Sequence, residues 1–384
     1  MSAAPLPRIG LLGSGGAVGR AALALLARES ALTLRDGHRQ ARPVQGDRSE
    51  TVAIDAEDPA ALARFCAGCA VVLNCAGPSW RIGDRVARAA AAAGADYVDA
   101  FGGNRLARLL APWAATAGRR FVLCAGSYPG LSELLPCWLA TQGFDRVERL
   151  AGFAGGREAC SPAAGADLLL STRDGFGRAG AAWDGVAARP GALTPREGAE
   201  IPGFPGRVHA QPFLSRDLER TAARLGLTWA EWYNVTPSAH IPAAIAQAGA
   251  GLAPADDAST DAAARLDAAV AELRRIAALE TSGRPSYYTV TLTMSGRHAG
   301  RAVRRRLMLR ADDSYRLSGA VAAQAARHLL RIRSAAGVRT AAEELDPGDV
   351  VAGLLTAGLA DLTVVELPAS TGDIAAERME EGAI

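Results

Sequence analysis

A short apolar run, Ile9-Gly10-Leu11-Leu12, leads straight into Gly13-Ser14-Gly15-Gly16-Ala17-Val18-Gly19 and out into an alanine- and leucine-rich stretch at 20–27. That pattern is strand, tight turn, helix, and it constrains the fold more than any other part of the chain. The glycines read as G-x-G-x-x-x-G on Gly13, Gly15 and Gly19, or as G-x-x-G-x-x-G on Gly13, Gly16 and Gly19. The logic is the same in either register. Glycine permits the sharp turn and lets backbone N–H groups approach a pyrophosphate, which then sits on the positive end of the helix. Residues 13–19 are therefore expected to hold a dinucleotide.

The succeeding segments continue the pattern. Residues 31–35, 51–55, 70–74, 97–101 and 120–124 read as further buried strands, with helical segments between them. Strand and helix alternate about six times in roughly 125 residues, which predicts an α/β, Rossmann-type doubly wound parallel sheet. The second strand runs into Arg35-Asp36-Gly37-His38-Arg39, with Arg42 close behind. Such folds choose here between NAD and NADP. Arg35, Arg39 and Arg42 around a single Asp36 favour NADPH, because a planar guanidinium grips a 2′-phosphate with two donors. The fourth strand ends in Asn74-Cys75-Ala76-Gly77-Pro78 beside the first glycine turn, so Asn74, Ala76, Gly77 and Pro78 are expected to line the cofactor. The strand at 120–124 ends in Gly126-Ser127-Tyr128-Pro129-Gly130, which places Tyr128 at the mouth of the same crevice.

Composition narrows the chemistry. The 384 residues contain no lysine, so a Schiff-base lysine, a P-loop lysine and a lysine general acid are all excluded. A net charge of +2 gives no footprint for nucleic acid. The N-terminus lacks the pattern of a secretory signal and no run has the apolar length of a membrane span, so a cytoplasmic protein with reduced cysteines is expected. Cys66-Ala67-Gly68-Cys69 has C-x-x-C spacing, but no second pair or histidine stands at zinc-finger distance, and no metal is expected.

From about residue 145 the texture changes. Residues 147–153 read as a strand and 161–170 as a helix capped by Ser161 with Pro162 in its first turn. A Gly- and Pro-rich stretch at 174–206 reads as a long functional loop. An aromatic cluster, Trp229-Ala230-Glu231-Trp232-Tyr233, precedes His240. Residues 263–279 form an amphipathic helix, and 287–294 with 302–310 alternate as an antiparallel hairpin. The arginines at 304–306 read as a solvated face or a carrier-protein docking site. The expected organisation is a dinucleotide-binding domain at 1–142 and an α+β substrate and dimerisation domain with an antiparallel sheet at 143–314. Helices at 315–365 return to the nucleotide domain, and 366–384 form a tail. A homodimer is expected.

Several of these passages together resemble the saccharopine-dehydrogenase-like reductases. They are the 13–19 turn with Gly37-x-Arg39, Asn74-Cys75-Ala76-Gly77-Pro78, Tyr97-Val98-Asp99, Gly126-Ser127-Tyr128-Pro129-Gly130-Leu131, and Asp313-Ser314-Tyr315-Arg316-Leu317-Ser318. The resemblance is strong over about 8–140 and thin over 145–310. Where the family often has aspartate before Pro-Gly this chain has Tyr128, and the lysine of true saccharopine dehydrogenases is missing. The resemblance implies an NADPH-dependent stand-alone reductase, similar to the thiazolinyl imine reductases of siderophore assembly lines. Its substrate would be a small molecule or one bound to a carrier protein of a nonribosomal peptide synthetase. The alternatives are a trans-acting enoyl reductase and a non-catalytic NADP(H)-binding module. Hydride delivery to an imine carbon requires a proton for nitrogen. Without lysine the donor candidates are Tyr128, His240, Tyr233 and His209, with Asp99 and Glu133 as secondary members.

Overall fold

The computed structural model describes residues 5–39, 48–171, 175–252 and 259–368. In chain order the elements begin β1 (Arg8–Leu12), α1 (Ala17–Leu26), β2 (Thr33–His38), β3 (Ser49–Ala53), α2 (Pro59–Cys66), β4 (Val71–Asn74), α3 (Ser79–Ile82), α4 (Arg85–Ala92), β5 (Asp96–Asp99), α5 (Gly103–Leu110), β6 (Arg120–Leu123) and α6 (Leu131–Ala140). They continue with β7 (Arg146–Arg157), α7 (Pro162–Ser171), β8 (Gly177–Ala179), β9 (Ala182–Trp183), β10 (Ala188–Arg189), β11 (Arg196–Glu200), β12 (Arg207–Ser215), α8 (Arg216–Arg224), β13 (Trp229–Thr236), α9 (His240–Gly251) and α10 (Thr260–Thr281). The last are β14 (Tyr287–His298), β15 (Arg301–Ala311), α11 (Ser314–Arg331), β16 (Gly337–Thr340), α12 (Ala341–Glu344), α13 (Pro347–Thr356) and β17 (Asp361–Leu367). They form two compact units, Met1–Leu134 with Ser314–Leu354, and Leu135–Asp313 with Leu355–Ile384.

The first unit is built on a seven-stranded parallel sheet in the order β16-β6-β5-β4-β1-β2-β3. This is the expected doubly wound arrangement, extended by β16 after the chain returns. Alternate strand residues supply its two faces. Leu12, Val72, Tyr97 and Phe121 pack with Leu62, Phe65, Val86, Ala90, Leu106 and Leu110 of α2, α4 and α5. The other face meets α1 and α11. There Gly319 lets the two helices touch, since a Cβ at Gly319 would lie 2.7 Å from the Val18 carbonyl oxygen. Helix α2 starts where Asp58 accepts from the Ala60 and Ala61 amides and Pro59 fills its first turn. Cys66 and Cys69 are core groups, and burial pushes the Cys66 thiol up to about 12.

The second unit carries a ten-stranded sheet whose main path is β10-β9-β13-β7-β14-β15-β17, with β12, β11 and β8 attached through β13. Its long β14–β15 hairpin is antiparallel from Tyr288↔Ala311 to His298↔Arg301, turning through Ala299 and Gly300. The expected antiparallel sheet is in fact mixed, because β13 runs parallel to β7. Trp232 explains Gly152 on the neighbouring strand, where a Cβ would come within 2.3 Å of the indole. Ser161 caps α7, accepting from the Ala164 amide at 3.2 Å.

Three expectations are corrected. The stretch 174–206 is not one open loop, since β8, β9, β10 and β11 fall inside it and pair into the sheet. The arginines at 304–306 are not a shared solvated face. Arg304 is only 3% exposed, Arg305 faces Glu366 at 3.4 Å, and Arg306 Nε donates to Thr293 Oγ1 at 3.3 Å. Finally, residues 315–365 do not all return to the nucleotide unit, because β17 pairs with β15 of the second. Alternating apolar residues marked this segment poorly, since both its faces stay largely exposed. Among the described residues, no helix is long and apolar enough to cross a membrane.

Arg120 joins three parts of the first unit. Its Nε donates to Asp96 Oδ2 at 2.9 Å, Nη2 to the Leu329 carbonyl at 2.6 Å, and Nη1 to the Ile332 carbonyl. Both members of the Arg120–Asp96 pair are mostly shielded. Arg120→Ala should cost about 2 kcal/mol in urea unfolding, the scale of hydrogen bonds to a charged group left unmade. A loss within error of zero would mean that water replaces the clamp.

Candidate functional site

The glycine turn is fixed by contacts that admit no side chain. Gly13 has φ +87°, and its amide donates to the Gly37 carbonyl at 2.7 Å. A Cβ at Gly13 would lie 2.4 Å from the Ala76 nitrogen, and one at Gly19 would lie 2.2 Å from the Gly13 carbonyl oxygen. The turn is thus wedged between the first turn of α1 and the loop after β4. Gly16 precedes α1 in extended conformation, no side chain caps the helix, and its first turn holds no acid. An anion at this ten-residue helix therefore meets backbone donors and a positive helix end. Ser14 is 3% exposed with its hydroxyl 3.5 Å from the Gly37 carbonyl, and Gly15 lies against His38. Ala17 and Val18 open the helix. These residues with Asn74 and Ala76 form one crevice at the carboxyl ends of β1 and β4, the position where open parallel sheets bind nucleotides. Gly77 and Pro78 continue that loop into α3.

The arginines beyond β2 divide. Arg35 is a correction to the expected 2′-phosphate cluster. Its guanidinium donates to the carbonyls of Arg64, Phe65 and Ala67 and pairs with Glu50 at 3.1 Å. It closes the carboxyl end of α2, a favourable place for a cation. Arg39 is exposed directly after His38, at the end of β2. Arg42 lies outside the described residues. Asp36 is turned inward, 9% exposed, and accepts from Thr51 Oγ1 at 3.3 Å.

Below the crevice a buried carboxylate ties the strand ends together. Asp99 Oδ2 accepts from Asn74 Nδ2 at 3.0 Å and from the Tyr97 hydroxyl at 2.5 Å, and Oδ1 accepts from the Phe101 amide at 2.9 Å. Asn74 in turn accepts from the Ala76 amide at 3.1 Å, so Asp99 reaches the cofactor loop through one side chain. Burial raises the Asp99 carboxyl above the usual carboxylate range, against the opposing pull of the Tyr97, Asn74 and backbone hydrogen bonds. Burial, then Asp99, raises the Tyr97 phenol in the same way. The sequence marked Tyr97 only as part of a resemblance, and Asp99 also as a secondary member of the donor set. Two polar residues alternating in a buried strand were the physical signal.

Tyr128 belongs to this same corner. Its turn lies against the end of β5, where the Ala125 amide donates to the Asp99 carbonyl at 3.0 Å and a Cβ at Gly126 would lie 2.4 Å from the Ala100 oxygen. Glu133 holds the turn from below, accepting from the Gly130 amide at 2.6 Å and the Ser132 hydroxyl at 2.9 Å. From α11, the Ser318 hydroxyl accepts from the Ser127 amide at 3.0 Å. Glu133, a secondary member of the expected donor set, thus shapes the turn that bears Tyr128.

The other donor candidates belong to the second unit. Tyr233 is 2% exposed, stacks on Phe153 with centroids 4.9 Å apart, and accepts from Arg196 Nη2 at 3.2 Å. It is a core aromatic with a satisfied hydroxyl, as buried tyrosines usually are. His240 opens α9, exposed, with Nδ1 3.1 Å from Ser238 Oγ. His209 is half-buried on β12, opposite Thr236. Burial in the core removes Tyr233 from the list of proton donors.

Residues 9–120 match the family profile of the saccharopine dehydrogenase NADP binding domain. No curated protein matches the chain in sequence. Among solved structures, apo histidine-tagged saccharopine dehydrogenase (L-Glu forming) from Saccharomyces cerevisiae is similar over 94% of this chain and 100% of its own, with a TM-score of 0.64 at 16% identity. The C. glutamicum DAP dehydrogenase in complex with DAP is similar over 92% of this chain and 99% of its own, with a TM-score of 0.50 at 14% identity. These likenesses extend the shared fold over both units.

Gly19→Ala should weaken NADPH binding at least tenfold in fluorescence titration, whereas Arg35→Gln should lower stability and leave the preference for NADPH over NADH unchanged; a lost preference would return Arg35 to the phosphate. For Asp99, a folded-state pKa raised above the unfolded one means that the native state holds the proton more tightly. Its stabilising contribution is full below the unfolded value, about 4, and is lost as pH rises through the raised value. The stability difference between wild type and Asp99→Asn should therefore shift against the wild type as pH climbs from about 4, measured as urea midpoints. A difference constant with pH would contradict the burial argument. Residues 9–120, which carry the glycine turn, thus match a saccharopine dehydrogenase NADP binding domain, and the cofactor is NADPH.

Proposed function

We propose that the protein is an NADPH-dependent reductase of a C=N bond, acting on a thiazolinyl imine carried by an assembly-line protein and converting thiazoline to thiazolidine. The observation that carries this reading is the meeting of the glycine turn, the loop at 74–78 and the Tyr128 turn at one corner of an NADP-binding domain. The cradle fits the cofactor, because the space a Cβ would take at Gly13 and Gly19 is already filled by backbone while the first amides of α1 stay uncapped. Bound NADPH supplies a hydride to the substrate carbon. The chain's own part is to orient that cofactor through the turn and the Asn74 loop and to present a proton for the imine nitrogen. With no lysine in the sequence, we assign that proton to the Tyr128 hydroxyl, a reading supported by its turn lying against the end of β5. A nitrogen-bearing substrate is in keeping with two of the similar structures, one titled a saccharopine dehydrogenase (L-Glu forming) and the other a DAP dehydrogenase in complex with DAP.

Reduction of an activated C=C on a carrier, oxidation of an amino acid, and cofactor binding without turnover are the competing outcomes. NADPH consumption with a cyclic imine analogue, and none with enoyl thioesters, is the expected result. Activity on enoyl thioesters alone would replace the reading, as would tight NADPH binding without turnover of either class. Tyr128→Phe should slow imine turnover at least tenfold with NADPH affinity unchanged. An unaltered rate would take the proton from another group.

A further inference from the structure

β17 is the outer strand of the ten-stranded sheet, paired along its whole length with β15, from Asp361↔Arg310 to Leu367↔Arg304. Its other backbone edge has no partner strand among the described residues. Val364 and Val365, which point to opposite faces, are 36% and 41% exposed. Natural edge strands are usually blunted by lysine, proline, a bulge or shortness, because a flat apolar edge recruits another strand. Elsewhere in this sheet the devices are visible: β10 has two residues, β8 has three, and the register of β11 shifts between Arg196 and Ala199. β17 has seven residues, Asp-Leu-Thr-Val-Val-Glu-Leu, in unbroken register and without proline or glycine.

We propose that β17 pairs antiparallel with β17 of a second copy of this chain, across a two-fold axis at Val364. A two-fold axis normal to the sheet keeps each side chain on its own face, so it must pass through a residue, and only Val364 leaves all seven residues paired. That register sets Val364 against Val364, Thr363 against Val365, Leu362 against Glu366 and Asp361 against Leu367. No two like charges stand opposite each other, the arrangement that destabilises cross-strand pairs. Glu366 is moreover already held by Arg305 of its own chain at 3.4 Å. The contact is isologous and therefore closes as a dimer rather than growing into a fibre. It joins the two ten-stranded sheets into one and covers one flank of each exposed valine.

Light scattering of the full chain should give a dimer. Directly opposed residues in an antiparallel pair have Cα atoms about 4.5–5.5 Å apart, within disulfide range. Under mild oxidation Val364→Cys should therefore cross-link to a covalent dimer, while Val365→Cys, set against Thr363, should not cross-link beyond the wild-type level. Val364→Arg places two cations face to face and should yield a monomer that still binds NADPH through the other unit. Equal cross-linking at both positions would overturn the register. A monomeric full chain, whether its edge is covered by residues 369–384 or by nothing, would overturn the proposal. If that tail is the cover, a chain ended at Pro368 would be dimeric where the full chain is not.

Discussion

The nucleotide unit depends on a place where three backbones approach more closely than any side chain allows. Gly13 lies between the Gly19 turn of α1 and the Ala76 amide after β4, with Cβ distances of 2.2–2.4 Å at Gly19 and Gly13. Because these contacts are made by main chain, they do not vary with rotamer or with side-chain protonation. The turn is consequently positioned by the sheet itself, and a binding site is most precise when rigid elements supply it. Gly319 repeats the device on α11, which lies against α1 from the far end of the sequence.

On this rigid base sits a softer layer of polar contacts. Asp99 links β5 to the Asn74 loop and to Phe101, while Ser318 and Glu133 hold the turn that bears Tyr128. A buried carboxylate is costly unless its lone pairs are filled, and here three donors converge on it. The corner that bears Tyr128 and the Asn74 loop is therefore shaped by hydrogen-bonded polar groups. Positioning of this kind is lost in steps, residue by residue, rather than through collapse of the fold.

The nucleotide half was legible because its pattern is local. An apolar strand, a glycine turn and a helix succeed one another within about twenty residues, and the same period recurs along the sheet. Arg35 shows the limit of such reading. Its place after the turn fits phosphate recognition, yet the strand pleat points it to the other face, where helix carbonyls take it. Tyr233 and Arg304 mislead for a related reason: a strand pattern shows which residues share a face, not what covers that face. The second unit was faint because its sheet is assembled from distant segments, with β13 joining β7 and β17 joining β15. Asp99 was visible as a residue, but its role as a hub required the strand order.

The path of the chain has one more consequence. It leaves the nucleotide unit after Leu134, returns at Ser314 and departs again after Leu354, so that each unit is closed by a piece made late. Until α11 and β16 emerge, α1 lacks the helix that packs on it and β6 is an open edge. Until β17 emerges, so is β15. The pairings that complete the nucleotide unit thus span hundreds of residues, the kind of contact that slows folding, whereas β17 reaches back to β15 across only 51–63. During synthesis a growing chain would therefore present two unfinished sheets at once.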